Sequence, residues 1–179
     1  MPKTAVQFRE EAEFLRESSG SNIEKTLIKA VKVLALFQVP HYVCGGFAVQ
    51  EHGYRRLTVD VDIIVPDVDF AREKLCMNGF RENVGSKTTV TDKDVNVEVS
   101  LLPGGSELPM QVSDKQQIQP LQSLISSELS TYMDRGIKRA QDYADVVELI
   151  QANSLPLEFA VPPGVLELYQ QKWDALHAS

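Results

Sequence analysis

The sequence predicts an α+β protein with a helical C-terminal part. Three observations carry that prediction. Apolar residues at Ile23, Leu27, Ala30, Leu34 and Phe37 recur with the period of an amphipathic helix. Between Tyr42 and Leu102, short runs rich in Val and Ile set apolar residues against polar ones, as half-buried strands do. After Pro109 the composition shifts, and the patterns that follow are helical.

The bulk properties fit this class. The chain has 179 residues, 43% hydrophobic and 24% charged, enough for one globular core or a core with a helical appendage. Its longest apolar runs are too short to span a bilayer. The N-terminus, with Glu10, Glu11 and Glu13, does not look like a signal peptide. The two cysteines, Cys44 and Cys76, have no metal-ligand spacing and read as reduced core thiols, so the expected compartment is the cytoplasm. A net charge of −7 without a long basic block argues against extensive nucleic-acid binding, and no membrane contact is expected.

Taken in order, residues 1–21 form a polar extension, with Phe8, Ala12 and Leu15 at helical spacing. Ser21 or Asn22 caps the helix that follows, which stops before Pro40. Tyr42-Val43-Cys44 is a short strand ended by Gly45-Gly46, and a second helix covers Phe47 to His52 with Gly53 as its stop. Val59–Val65 is the next strand, with Val61, Ile63 and Val65 on one face and Asp60 and Asp62 on the other. Pro66-Asp67-Val68-Asp69 opens a helix carrying Phe70, Leu75 and Met77, which ends near Asn78-Gly79. Phe80–Val84 suits an edge strand. Thr88–Thr91 and Val95–Leu102 suit a hairpin about Asp92-Lys93-Asp94, with Asn96, Glu98 and Ser100 on its polar face. Leu121–Met133 and Arg135–Ala152 read as helices, the second with Ala140, Tyr143, Val146, Val147 and Ile150 inward. A last helix, Val165 to His177, offers Leu166, Tyr169, Trp173 and Leu176 for packing. The expected division is therefore a core at 22–110 and a helical subdomain at 111–179.

Chemistry concentrates at Asp60 and Asp62. Two carboxylates on one strand face repel each other and resist burial unless a cation sits between them, which points to a divalent-metal site. The chain contains a second Asp-Val-Asp, at Asp67 and Asp69, that serves as a control. It follows Pro66 and precedes a helical pattern, so those acids read as a helix cap. Glu98 is the natural third carboxylate, with a solvent-facing acid as the equal alternative. Oxygen ligands on adjacent strands suit magnesium, which takes the rest of its shell from water and substrate phosphates. Gly45 and Gly46 let backbone amides approach phosphate oxygens, or serve only a tight turn. Arg56 and Thr58 lie where they could touch a triphosphate or an adjacent carboxylate. His41, His52 and His177 have no ligand spacing.

Gly45-Gly46, a helix, then Arg56-x-Thr58-x-Asp60-x-Asp62 and a later strand acid resemble the nucleotidyltransferase fold of DNA polymerase beta relatives. More narrowly, the chain is similar to small bacterial nucleotidyltransferases related to abortive-infection toxins, whose C-terminal helix has a pattern like Arg139-x-x-Asp142-x-x-Asp145. The resemblance implies a short mixed sheet flanked by helices. It also implies that Asp60, Asp62 and Glu98 hold two magnesium ions, for which manganese would substitute, with Gly45 and Gly46 against a nucleoside triphosphate. The reaction so implied moves a nucleoside monophosphate onto a hydroxyl of a small molecule, a protein or a tRNA end. Two residues depart from the pattern. Glu98 stands where aspartate is common, and Glu128 stands where the toxin-like relatives tend to have lysine. Asp142 and Asp145 are candidates for catalysis, with an Arg139–Asp142 salt bridge on one helix face as the simpler reading of that motif. The departures keep a second function in view: a nucleotide-binding or protein-interaction module without transfer, in a toxin–antitoxin type of system.

Overall fold

The periodicity that begins at Ile23 forms α1, residues 22–36 of the computed structural model, which describes residues 22–105, 108–135 and 140–178. The helix expected within 1–20, the Ser21 cap and the Arg139 end of the Arg139–Asp142 pair lie outside the described residues. Next come β1 (Tyr42–Cys44), α2 (Gly45–Glu51), β2 (Val61–Val65), α3 (Val68–Met77), β3 (Phe80–Glu82), β4 (Thr89–Asp92) and β5 (Glu98–Pro103). The chain ends in α4 (Leu121–Arg135), α5 (Ala140–Ala152) and α6 (Pro163–His177). Among the described residues no helix is long and apolar enough to cross a membrane.

Two compact units divide these elements. The first comprises Met1–Gly46 with Leu57–Gln117, and the second Phe47–Arg56 with Ile118–Ser179. The division falls between Gln117 and Ile118, whereas the expected boundary was residue 110, and the stretch Phe47–Arg56 goes with the helical unit.

In the first unit the strands form one mixed sheet in the order β1-β2-β5-β4-β3. β2 and β5 are parallel, and the other neighbours are antiparallel. One sheet face is apolar, because Val61, Ile63, Val65, Val99, Leu101, Val90 and Phe80 all point to it and are fully buried. Leu27, Ala30 and Leu34 of α1 and Ala71 and Leu75 of α3 are equally buried. Each large aliphatic side chain so covered contributes about 1.5–3 kcal/mol. β1 lies at the sheet edge, and its Val43 N–H donates to Gln117 O at 2.7 Å, which covers part of that edge.

Polar anchors fix the register of α1 and α3. Asp67 caps α3, its carboxylate accepting from Phe70 N at 2.9 Å, and Asp69 in the first turn pairs with Arg72 at 3.1 Å. The second Asp-Val-Asp is thus a helix cap, as its context implied. At the β4–β5 turn, Asp92 is buried yet accepts from Lys29 Nζ at 2.6 Å and Thr26 Oγ1 at 3.1 Å. Burial pushes the Asp92 carboxyl up, but the hydrogen bond from Lys29, the Asp94 amide and the lysine's charge outweigh it and hold it below its ordinary value. That turn is longer than the sequence implied. Asp92 ends β4, Asn96 has φ +59, and β5 starts only at Glu98.

In the second unit Leu124, Ile125 and Leu129 of α4 pack with Val146, Leu149 and Ile150 of α5, Val165 and Tyr169 of α6, and Ala48 and Val49 of α2. The inward face of α5 differs from the expected one. Asp142, Asp145, Val146, Leu149 and Ile150 are buried, whereas Ala140 is exposed and Tyr143 and Val147 are half-buried. The helix is rotated because Asp145, fully buried, receives Arg56 Nε at 2.9 Å and Gln141 Nε2 at 2.7 Å. A paired carboxylate can occupy a core position that apolar periodicity alone assigns elsewhere. α6 begins at Pro163, a position that needs no backbone donor. Tyr169 is its buried anchor and Leu166 stays partly exposed, while the Tyr169 hydroxyl and Trp173 Nε1 each donate to a carbonyl, of Pro156 and Leu155, at 2.8 Å. Cys44 is buried and Cys76 half-buried, both as thiols.

Candidate functional site

The first unit's sheet has a second face, polar around Asp62 and Ser100 and apolar toward Ile64 and Leu102. β2 starts at Val61 rather than Val59, so alternation puts Asp62 on the side opposite Val61 and Ile63, and Asp60 immediately precedes the strand. β2 pairs with β5 so that Val61 meets Val99 and Asp62 meets Ser100, which brings Glu98 onto the same face. β5 pairs with β4 so that Glu98 meets Thr91 and Ser100 meets Thr89. Arg81 of β3 meets Thr91, so Arg81 and Asn83 continue the face to the far edge. Acids stand at the β2 and β5 strands, and hydroxyls and an amide beyond them.

β1 delivers the glycines to the start of this face. Cys44 pairs with Asp62, so the chain leaves β1 beside that aspartate. Gly45 turns out of the strand with φ +57. A Cβ at Gly45 would lie 2.2 Å from Asp62 Oδ2 and 3.1 Å from Asp62 Cβ. The left-handed backbone and the close approach both demand glycine. Gly46 is buried behind it. The atom that Gly45 makes room for is therefore a carboxylate oxygen of the expected metal site.

Thr58 and Arg56 part company. Thr58 stays in the first unit, where its Oγ1 donates to Asp60 O at 3.2 Å and lies 3.5 Å from Asp60 Oδ1. Its short reach thus ends at the aspartate. Arg56 belongs to the second unit and puts both Nε and a terminal nitrogen 2.9 Å from Asp145 Oδ2. The arginine considered for a triphosphate is engaged by a helix carboxylate.

Glu98 sits where the register requires, but its carboxylate leans along the sheet. Its Oε2 accepts from Asn83 Nδ2 at 2.9 Å. Asn83 follows β3, which lies beyond β4 on the side of β5 away from β2. The same amide group donates to Thr89 Oγ1 at 3.1 Å, and Asn83 Oδ1 accepts from Thr91 Oγ1 at 2.5 Å. Among the described residues, no three His, Cys, Asp or Glu side chains gather into a metal-holding group. The donor chemistry of Asp60 and Asp62 fits a hard divalent cation, with Asp62 seated against the Gly45 turn. Glu98, the expected third donor, is engaged by Asn83.

Sequence reasoning put Asp60 with Asp62 on one strand face and Glu98 with Asn96 and Ser100 on the polar face of another, and passed over Asn83, Thr89 and Thr91. The alternation of Thr89 and Thr91 carried a signal that a second polar strand lay beside Glu98. Nothing local marked Asn83.

No protein-family model matches the sequence, and no curated relative does. Solved structures do match its fold. An antigenic nucleotidyltransferase-like protein from Paracoccidioides brasiliensis is 14% identical and superposes with a TM-score of 0.59, over 89% of this chain and 90% of that one. The antibiotic-resistance factor ANT(2'')-Ia in solution is 14% identical with a TM-score of 0.53, over 89% of this chain and 95% of its own. Its crystal structure in complex with adenylyl-2''-tobramycin is 13% identical with a TM-score of 0.50, over 82% and 94%. The chain has the nucleotidyltransferase fold, an α+β arrangement with a mixed sheet.

Proposed function

We propose that the protein is a metal-dependent nucleotidyltransferase that transfers a nucleoside monophosphate from a nucleoside triphosphate to an acceptor hydroxyl. One observation carries this reading. Asp62 lies on β2 two residues after Asp60, and it is packed so tightly against the first glycine of the β1–α2 turn that no side chain fits there. A strand that builds its turn around an acid is built to hold the acid.

Asp60 and Asp62 are the residues that would hold magnesium, with Glu98 as the third donor. Bound there, the metal would supply Lewis-acid stabilisation of charge on the phosphoryl oxygens and a more nucleophilic acceptor hydroxyl. Thr58 fixes Asp60 through its hydroxyl, and Gly45 fixes the position of the Asp62 carboxylate. The transfer forms a bond from the acceptor oxygen to the α-phosphorus as the bond to the bridging oxygen of the β-phosphate breaks, and the hydroxyl proton passes to solvent water. Pyrophosphate leaves with that electron pair.

The test is label transfer from each α-labelled nucleotide into a cell lysate with magnesium or manganese present. Transfer that disappears in the Asp60→Asn, Asp62→Asn double variant is expected. Undiminished transfer by that variant would refute the site. A second reading rests on the Asn83–Glu98 hydrogen bond, which gives the third acid a partner other than a metal. In it the protein binds nucleotide or a partner protein without transfer. Magnesium-dependent nucleotide binding with no label transfer from any nucleotide would favour it.

A further inference from the structure

The Asn83 amide is fully committed. Its nitrogen donates to Glu98 and Thr89, and its oxygen accepts from Thr91, so the group cannot turn without losing partners. Thr91 is buried and Thr89 half-buried, so the amide is anchored to β4 while it reaches the exposed Glu98 carboxylate. A carboxylate on β5 drawn toward the β3 end of the sheet is drawn away from β2, because β5 lies between β2 and β4. That direction has a physical reason. Three carboxylates on one face repel one another without a cation, and a donor on the far side lets one of them stand off.

Resting on the nucleotidyltransferase reading, we infer that Asn83 is a positioning residue that latches Glu98 away from the Asp60–Asp62 pair until a divalent cation draws it across. The latch competes with the metal for one carboxylate. Removing it therefore strengthens cation binding, whereas a residue that only supported the fold or preorganised Glu98 would weaken binding when lost. The sign of the effect is the diagnostic.

The experiment measures Mn2+ binding to the full chain, from the electron paramagnetic resonance signal of free Mn2+, without any nucleotide. Loss of one exposed hydrogen bond to a charged group predicts about fivefold tighter Mn2+ binding in Asn83→Ala. The gain disappears in a Glu98→Ala background, where no carboxylate remains to be released. Circular dichroism checks the fold of each variant. Asn83→Ser keeps a hydroxyl near Thr89 and Thr91 but is too short to reach Glu98, so it gives the same direction if the alanine variant folds poorly. Unchanged or weaker Mn2+ affinity in the folded variants, or a gain that persists in Glu98→Ala, overturns the latch alone. Absence in the wild type of Mn2+ binding that Asp60→Asn with Asp62→Asn abolishes overturns the nucleotidyltransferase reading, and the latch with it.

Discussion

Replacing Gly45 by alanine tests whether the β1–α2 turn is built around Asp62. Two separate costs follow from the geometry. Alanine at φ +57 carries left-handed strain of about 1–2 kcal/mol. Its Cβ would lie 2.2 Å from Asp62 Oδ2, 3.0 Å from Cγ and 3.1 Å from Cβ. Rotating the carboxylate relieves the first contact but leaves the last, so the two backbones must also separate. Overpacking of that kind costs about 1–3 kcal/mol, for a total of about 2–5 kcal/mol. Gly85 supplies the control, since its φ is +84 and a Cβ there meets nothing within 4 Å. Gly85→Ala should show only the strain, about 1–2 kcal/mol. The assay is urea unfolding of both variants, followed by Mn2+ titration of the folded proteins. Gly45→Ala should be the less stable of the two and should bind Mn2+ more weakly, because Asp62 has moved. Equal destabilisation with unchanged Mn2+ affinity would refute the close packing of turn and acid.

Two further outcomes concern stability. Arg56→Met leaves Asp145, fully buried, without its guanidinium, and should cost about 3–5 kcal/mol in urea unfolding, with Arg56→Lys recovering part of the loss. His41 is fully buried, its Nδ1 lies 2.8 Å from Val39 O, and burial holds its pKa below the ordinary 6.5. The unfolded chain therefore binds more protons between the two values, and stability falls as the pH drops from 6.5 toward the folded-state pKa. His41→Asn keeps a donor toward Val39 O and should flatten that pH slope in chemical denaturation.

How much of this was legible depended on how far apart the interacting residues lie. The α3 cap was readable because Asp67 bonds Phe70, three residues on, and local spacing contains the whole interaction. The polar face of β2 and β5 was readable from alternation within each strand. The face of α5 was not, since Asp145 is buried only because Arg56, 89 residues away, neutralises it. Likewise Asn83 reaches Glu98 across β4, so its role emerges only once the order β5-β4-β3 is known. Gly45 lies between these cases. The pair of glycines announced a turn, but the register of Cys44 with Asp62 explains why that turn admits no side chain.

The acidic residues at β2 and β5 also bear on the order in which the proposed metal and nucleotide would arrive. Asp60, Asp62 and Glu98 belong to a chain whose net charge is −7, so an approaching polyphosphate meets a field of its own sign. Such a surface turns away a bare nucleoside triphosphate and admits one whose charge is already neutralised. Under the transfer reaction proposed above, affinity for free nucleotide is therefore expected to be low, and encounter is expected to be a property of the metal–nucleotide complex.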